Sequence, residues 1–276
     1  MCRWLAYSGS PVLLEDLLLK PTHSLVDQSL HAKLGATTTN GDGFGMGWYD
    51  HADAPGVFHS IEPAWNDHNL RELARHLVSP LVFAHIRAAT DGAIQQTNCH
   101  PFRHGRWLWM HNGQIREFNS VKRDLAFAVD PSLYPLIEGS TDSEVFFFLA
   151  LSMGLQDDPP AAVESAVAFI EATGRAHGVG HPIQMTVATT DGASLWTFRY
   201  SSERESNSLF HSADIETLRA QYPDHPVLHT LADDTRLVVS EPVGELAGAW
   251  IEVPESSCSI VERGQSETRP FTPQSH

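Results

Sequence analysis

The chain has 276 residues, 42% of them hydrophobic, so it is long enough to bury a sizeable core. It carries 18 basic against 34 acidic residues, and the formal net charge of −16 argues against a nucleic-acid partner because such a surface repels phosphate. The three cysteines have no C-x-x-C spacing, which excludes a zinc ribbon and a disulfide framework and favours a reducing, cytoplasmic location. We find no signal peptide and no apolar run of the about 18 residues that a membrane span needs, so we expect no membrane partner.

Apolar runs and turn residues predict strands first, then helices, then strands again. The predicted strands are 2–8, 44–49, 81–86, 107–111, 184–190, 194–200, 208–212, 236–240, 249–253 and 258–262. The predicted helices are 13–19, 69–77, 116–127, 141–153, 160–175 and 214–220. We expect an α+β fold of packed sheets with helices outside, as one domain over residues 1–264 followed by a frayed polar tail over 265–276.

Cys2 follows the initiator Met1, so removal of Met1 would give a first residue with both a thiol and a free α-amine. The thiolate is the nucleophile, and the amine, with an ordinary pKa of about 7.7 to 8.0, is suited to relay the thiol proton at neutral pH. One residue would then supply nucleophile and base. The alternative is that Cys2 is a small apolar residue at the start of a strand.

Arg87 closes the predicted strand 81–86. Its planar guanidinium is suited to bind a carboxylate through two parallel hydrogen bonds. A structural salt bridge is the alternative interpretation.

Asn112 and Gly113 follow the predicted strand 107–111. An Asn-Gly pair at a strand end is typical of a hairpin turn, but the next residues predict a helix. The Asn112 amide and the Gly113 N–H are therefore candidates for binding one oxyanion. Further along, Ser140 or Thr141 before acidic residues predicts a helix N-cap, and the Asp142 carboxylate in the first turn is a candidate for binding an ammonium group.

Two patterns resemble cofactor motifs but lack their spacing. The glycines between Asn40 and Trp48 do not follow G-x-G-x-x-G, and no predicted helix follows them, so we predict no dinucleotide site. Sixteen histidines include three pairs spaced i,i+4, which are His100/His104, His177/His181 and His225/His229. Proline or glycine interrupts each pair, and we predict no metal and no cofactor.

Taken together and in this order, these segments resemble the class II glutamine amidotransferases, which are N-terminal-nucleophile hydrolases. The resemblance implies a four-layer αββα sandwich of two antiparallel sheets. It also implies that Cys2 is the nucleophile and that Asn112 and Gly113 form the oxyanion hole.

The same resemblance implies the substrate contacts. Arg87 would bind the substrate α-carboxylate with Thr90 nearby, and Asp142 would bind the α-ammonium. Cys99 lies in a segment similar to the family's Asn-Ala-His-Pro and is then a tolerated core residue. Asp91 departs from the His that often follows the Thr in sugar-amidating members, which bears on the acceptor rather than on hydrolysis.

Met1-Cys2-Arg3 and the segment 238–242 resemble the short stand-alone members, such as the ergothioneine-pathway γ-glutamyl hydrolase and the fungal glutathione-degrading amidotransferase subunit. We predict hydrolysis of a γ-glutamyl amide, either glutamine or a larger γ-glutamyl compound, through a Cys2 thioester. The resemblance also implies that the loop 178–182 and the turn 240–242 shape a leaving-group pocket. The alternatives are a subunit that passes ammonia to a separate synthetase or peptidase partner, a silent glutamine-binding sensor, and an acylase of the wider N-terminal-nucleophile group.

Overall fold

A computed structural model describes residues 2–34, 38–89, 92–262 and 264–273. Its strands are β1 (Arg3–Leu13), β2 (Phe44–Trp48), β3 (Gly56–Ser60), β4 (Val78–Ile86), β5 (Phe102–His104), β6 (Trp107–Ile115), β7 (Ile183–Thr190), β8 (Leu195–Ser201), β9 (Phe210–Ser212), β10 (Arg236–Val239), β11 (Trp250–Glu252), β12 (Ser257–Glu262) and β13 (Gln265–Pro270). Its α-helices are α1 (Leu14–Leu18), α2 (Leu25–His31), α3 (His68–Ala74), α4 (Phe118–Phe127), α5 (Asp142–Ser152), α6 (Pro159–Ala176), α7 (Ile215–Gln221) and α8 (Pro226–Thr230).

The strands form two antiparallel sheets. The first has the order β11-β9-β10-β1-β4-β2-β3, and the second has the order β13-β12-β8-β7-β6-β5. The N-terminal strand β1 lies inside the first sheet between β10 and β4, and Arg3 at its start is paired with Ile86 at the end of β4. The residues next to this pair, Cys2 and Arg87, are therefore brought to the same end of the two strands.

Alternate residues of β1 point to opposite faces of the first sheet. Leu5 and Tyr7 belong to a core cluster that includes residues of α1, α2 and α3. Trp4 and Ala6 belong instead to a cluster that includes residues of β6 and β7, so this cluster lies between the two sheets. A third cluster joins the second sheet to α4, α5 and α6. The four-layer αββα sandwich expected from the resemblance is confirmed.

The helix α5 is apolar on almost every side because it is packed against β6 and between α4 and α6. Phe146 and Phe147 are fully buried and contact Trp109 of β6. This packing fixes the position of the first turn of α5, which carries Asp142.

The expectation of a frayed tail over 265–276 is wrong for Gln265–Pro270, which pair with β12 as the edge strand β13. All six residues are exposed, so no apolar alternation marks the strand, and main-chain hydrogen bonds hold it in place. Phe271, which follows, is buried against Phe198 and Tyr200 and anchors the strand to the core.

The short elements α2, β3, β5 and α8 were not predicted from the sequence. Each is at most seven residues long, which leaves too few residues to show a periodic pattern. The start of α2 nevertheless carries a local signal, because Ser24 and Asp27 form a capping box. Among the described residues, no helix is long and apolar enough to cross a membrane.

Candidate active site

Cys2 lies directly before β1 and beside the segment that follows β4. Its Sγ is 3.5 Å from the Ala88 carbonyl oxygen and 3.4 Å from the Ala88 amide nitrogen. Burial raises the pKa of the Cys2 thiol, and the Ala88 amide together with the positive charges of Arg87 and Arg3 opposes this rise. With its pKa raised, the thiol is protonated at neutral pH, so attack by this sulfur needs a base close by.

Arg87 follows the last residue of β4 and is buried. Its amide donates to the Gly43 carbonyl at 2.9 Å, and its carbonyl accepts from the Asp42 amide at 3.1 Å. The Asp42 carboxylate also accepts from the Ala89 amide at 2.8 Å. The loop before β2 therefore fixes the main chain of the Arg87 segment.

Asn98 connects the Arg87 region to the start of α5. The Arg87 guanidinium donates to the Ala93 carbonyl at 3.2 Å, and the Asn98 side chain donates to the same carbonyl at 2.8 Å. Asn98 also donates to the Ser140 hydroxyl at 3.1 Å and accepts from the Ser140 amide at 2.8 Å. Asn98 is fully buried and was not predicted as a site residue. It links the carbonyl that Arg87 contacts to Ser140, two residues before Asp142.

Asp142 is the first residue of α5, and Thr141 is its N-cap, as predicted, because the Thr141 hydroxyl accepts from the Glu144 amide at 3.2 Å. One Asp142 oxygen accepts from the Ile115 amide at 2.7 Å, and the other accepts from the Ser143 amide at 2.7 Å. Asp142 is thus tied to the end of β6, two positions beyond Gly113.

Asn112 and Gly113 lie inside β6, which continues to Ile115, and not at a strand end as we predicted. They stay in the strand because they pair with Thr186 and Met185 of β7. A Cβ on Gly113 would lie 1.9 Å from the Gln184 carbonyl oxygen, so only glycine fits at this position.

The Asn112 side chain is buried and held in one orientation. The Asn112 Oδ1 accepts from the side-chain NH2 group of Asn207 at 3.3 Å. The NH2 group of Asn112 is therefore the donor on the opposite side of its side-chain amide. Its main-chain oxygen accepts from the Thr186 hydroxyl at 3.3 Å, and that hydroxyl accepts from the Trp4 indole at 3.2 Å. Since Trp4 is two residues from Cys2, Thr186 connects the strand of the predicted nucleophile to the strand of the predicted oxyanion hole.

The remaining predicted substrate residue, Thr90, lies outside the described residues, as does Asp91. The structure thus gives the positions of Cys2, Arg87, Asn112, Gly113 and Asp142 but not of Thr90. Their catalytic and binding roles stay predictions.

The other two cysteines are buried, whereas Cys2 is partly accessible. Burial raises the pKa of Cys99 to about 11 and that of Cys258 to about 12. Both thiols are therefore protonated and shielded at neutral pH, which agrees with the interpretation of Cys99 as a core residue.

Three buried histidines, His85, His100 and His111, lie close to the predicted site residues. His85 and His100 pack with their ring centroids 4.2 Å apart, and the His111 ring nitrogen Nδ1 is 2.8 Å from the Ser143 hydroxyl. Burial lowers the pKa of His85 to about 3 and lowers the pKa of His100 and of His111 as well. Within the described ranges, no three His, Cys, Asp or Glu side chains form a group that could hold a metal ion.

The model of the family "Glutamine amidotransferases class-II" matches residues 14–267. The chain is 33% identical to the probable glutamine amidotransferase DUG3 of Saccharomyces cerevisiae, over 95% of this chain and 82% of that protein. It is 32% identical to the gamma-glutamyl-hercynylcysteine sulfoxide hydrolase of Mycolicibacterium smegmatis, over 82% of this chain and 90% of that protein.

Solved structures show the same relationship. A glutamine aminotransferase class-II domain protein from Silicibacter pomeroyi superposes with a TM-score of 0.76 at 32% identity, over 99% of this chain and 100% of that one. The glutamine phosphoribosylpyrophosphate amidotransferase of Bacillus subtilis shares the fold with a TM-score of 0.64 at 13% identity, over 99% of this chain and 50% of that one. The chain belongs to the class II glutamine amidotransferase family, and it is an enzyme of that type.

Proposed function

We propose that the protein is a γ-glutamyl amide hydrolase that forms a thioester on Cys2. The observation that carries this proposal is the placement of Cys2, a partly exposed residue, with its thiol beside Ala88 and close to the buried Arg87. The orientation of Asn112 by Asn207 supports an oxyanion hole on β6.

The chemistry begins once Met1 is removed and the α-amine of Cys2 is free. The amine takes the thiol proton, and the sulfur attacks the side-chain carbonyl carbon of the γ-glutamyl group. The negative charge that develops on the carbonyl oxygen is stabilised by the Asn112 NH2 group and the Gly113 amide. When the tetrahedral intermediate collapses, the C–N bond breaks and the ammonium of Cys2 gives its proton to the leaving amine.

A water molecule then completes the reaction. The Cys2 amine takes a proton from this water as its oxygen attacks the thioester, the C–S bond breaks, and glutamate and the free thiol are released. The guanidinium of Arg87 and the carboxylate of Asp142 bind the α-carboxylate and α-ammonium of the γ-glutamyl group throughout.

The nucleophile is tested by intact-mass measurement with and without a glutamine-mimicking diazoketone, followed by peptide mapping. We expect a mature chain without Met1 that carries one adduct, on Cys2. An adduct on Cys99 or Cys258 with Cys2 unmodified would contradict the proposal.

For the substrate, we propose a γ-glutamyl peptide or a large γ-glutamyl amide in preference to glutamine. The similarity to a gamma-glutamyl-hercynylcysteine sulfoxide hydrolase supports this choice. The test compares kcat/KM for glutamine with that for a panel of γ-glutamyl dipeptides and amines, using the purified protein alone. If glutamine is turned over faster than every member of the panel, the protein is better described as a subunit that supplies ammonia to a separate partner.

We also propose a cytoplasmic location. The three cysteines are all free in the structure, which suits a reducing compartment.

A further inference from the structure

The buried carboxylate of Glu241 lies in a polar cluster next to the start of β1. One oxygen accepts from the Arg3 guanidinium at 2.8 Å and from the Leu34 amide at 2.9 Å. The other accepts from the Lys33 amide at 2.8 Å and lies 2.5 Å from the His23 ring nitrogen. Burial raises the pKa of the Glu241 carboxyl, but these partners outweigh it and hold the pKa below its ordinary value, so the group is ionised at neutral pH.

Arg3 links this carboxylate to the predicted nucleophile. The guanidinium is buried, and besides Glu241 it donates to the Cys2 carbonyl at 3.0 Å and to the Leu34 carbonyl. The main chain of Cys2 and the segment 33–34 are therefore held by one ion pair.

The turn that carries Glu241 is itself fixed on both sides. The Ser240 hydroxyl accepts from the Trp4 amide at 2.9 Å. On the other side, the side-chain NH2 group of the fully buried Gln28 donates to the Glu241 main-chain carbonyl at 3.3 Å and to the Pro242 carbonyl at 3.2 Å. Glu241 therefore acts from a rigid support and not from a mobile loop.

We propose that Glu241 is a positioning residue for the nucleophile. Through Arg3 it fixes the Cys2 main chain, and through the Lys33 and Leu34 amides it fixes the neighbouring segment relative to Cys2. The inference rests on the proposed function, in which Cys2 carries both the thiol and the amine. A fixed Cys2 carbonyl orients the Cα that carries both groups relative to β4 and β6, and small misplacements of reacting groups have large effects on rate. The leaving-group pocket that the resemblance implied for the turn 240–242 stays a separate prediction.

The substitution Glu241→Gln tests the proposal with little change in shape. Both carboxylate oxygens face donors, so the NH2 group of glutamine would face the donors of one oxygen and break that half of the cluster. We expect kcat for a γ-glutamyl substrate to fall about 10- to 100-fold while KM stays within about two-fold, because the proposed role of Glu241 acts through Arg3 and the segment 33–34.

The matched control is Glu171→Gln in α6. Glu171 is also a buried carboxylate, and it accepts from the Tyr200 and Ser202 hydroxyls at 2.8 and 2.7 Å and pairs with Arg175 at 3.2 Å, but it is remote from Cys2 in the second layer of helices. We expect this control to keep kcat within about two-fold of the wild type. An unchanged kcat in Glu241→Gln, or a raised KM with kcat unchanged, would overturn the proposal.

Hydrogen exchange gives a readout that does not depend on turnover. We expect the amides of Lys33 and Leu34 to exchange about tenfold faster or more in Glu241→Gln than in the wild type or in the Glu171→Gln control. If the wild type hydrolyses no γ-glutamyl compound, the proposed function fails. The exchange comparison still decides whether Glu241 holds the segment 33–34 in place. Unchanged exchange at both amides would overturn the positioning role on its own.

Discussion

The candidate substrate-binding groups are held in place before any substrate arrives. Asp142 accepts from two main-chain amides, and Arg87 is buried with its main chain fixed by the loop before β2. Such preorganised groups lose little freedom on binding, so most of their interaction energy is available to the substrate.

We expect Arg87→Lys and Asp142→Asn each to lower kcat/KM for a γ-glutamyl substrate. The decrease should correspond to a loss of about 2–3 kcal/mol of transition-state stabilisation. Lysine keeps the charge of Arg87 but lacks the planar fork, and asparagine removes the charge that would face the ammonium. Steady-state kinetics measure the effect, with the exposed Arg123→Ala in α4 as the control that keeps its rate. Wild-type kcat/KM in Arg87→Lys would show that the planar fork is not needed, and wild-type kcat/KM in Arg87→Ala would show that the carboxylate role is wrong.

Asn207 sets the direction of the Asn112 amide, and this makes a graded prediction. Asn112→Ala should lower kcat by about 100- to 1,000-fold with little change in KM, because the donor is lost. Asn207→Asp should also lower kcat, since a carboxylate accepts only and would turn the Asn112 NH2 group away from the oxyanion. Asn207→Ala, which leaves the amide unheld, should have a smaller effect than either. The order of the three kcat values is the measurement, and equal kcat in Asn207→Asp and the wild type would contradict this orientation.

At this scale the sequence reveals residue types with a chemical use but not the residues that orient them. Cys2, Arg87, Asn112, Gly113 and Asp142 stand in recognisable segments, and the structure describes them near the ends of β1 and β4, in β6 and at the start of α5. The orienting partners are Asn98, Thr186, Asn207 and Glu241. They lie tens to hundreds of residues away in sequence, and no local pattern connects them to their targets.

Among the elements, those with a clear hydrophobic period or a continuous apolar run were predicted, and the edge strand held by main-chain pairing was not. The helices α4 and α6 and the strand β7 follow the period of their apolar residues, whereas α5, β4 and β6 contain continuous apolar runs. The edge strand β13 is exposed and almost entirely polar, and it forms because β12 supplies main-chain hydrogen bonds. In the same way, β6 extends through Asn112 and Gly113 because β7 pairs with them. A local sequence pattern shows neither pairing.

The anchor of β13 is Phe271, and its removal should destabilise the whole protein. We expect Phe271→Ala to lower the free energy of unfolding by about 3 kcal/mol or more, because it leaves a cavity against Phe198 and Tyr200. Urea denaturation measures the change. The control is Phe127→Ala in α4, whose side chain is 76% exposed, and it should change stability by no more than about 0.5 kcal/mol. Similar losses in the two variants would show that Phe271 is not an anchor.

For the whole molecule, the resemblance predicted the layers, but the polar contacts that cross between them needed the structure. The two sheets are joined by apolar packing and by the Trp4–Thr186–Asn112 contact. The buried histidines near this interface also make the stability of the molecule depend on pH.

We expect the protein to lose stability as the pH falls below about 6.5. The unfolded chain takes up protons on its histidines near that value, whereas the folded chain keeps His85, His100 and His111 neutral to lower pH because their pKa values are lowered by burial. Each such group contributes up to about 1.4 kcal/mol per pH unit between the two pKa values.

His100→Phe tests this dependence, since phenylalanine has a similar shape and does not titrate. The free energy of unfolding, measured by urea denaturation at several pH values, should decline less steeply below pH of about 6.5 in this variant. His51, which is fully exposed, provides the control His51→Gln, and its slope should match the wild type. A wild-type slope in His100→Phe would exclude a contribution from this imidazole.

The position of Cys2 directly before β1 has a practical meaning for recombinant forms of the enzyme. A peptide bond to its nitrogen, whether from Met1 or from an affinity tag, converts the amine into an amide that takes up no proton. Under the mechanism that we propose, an N-terminal fusion would therefore have no γ-glutamyl hydrolase activity. Cutting a fused leader directly before Cys2 with a protease would free the Cys2 amine, so turnover would begin when the protease is added.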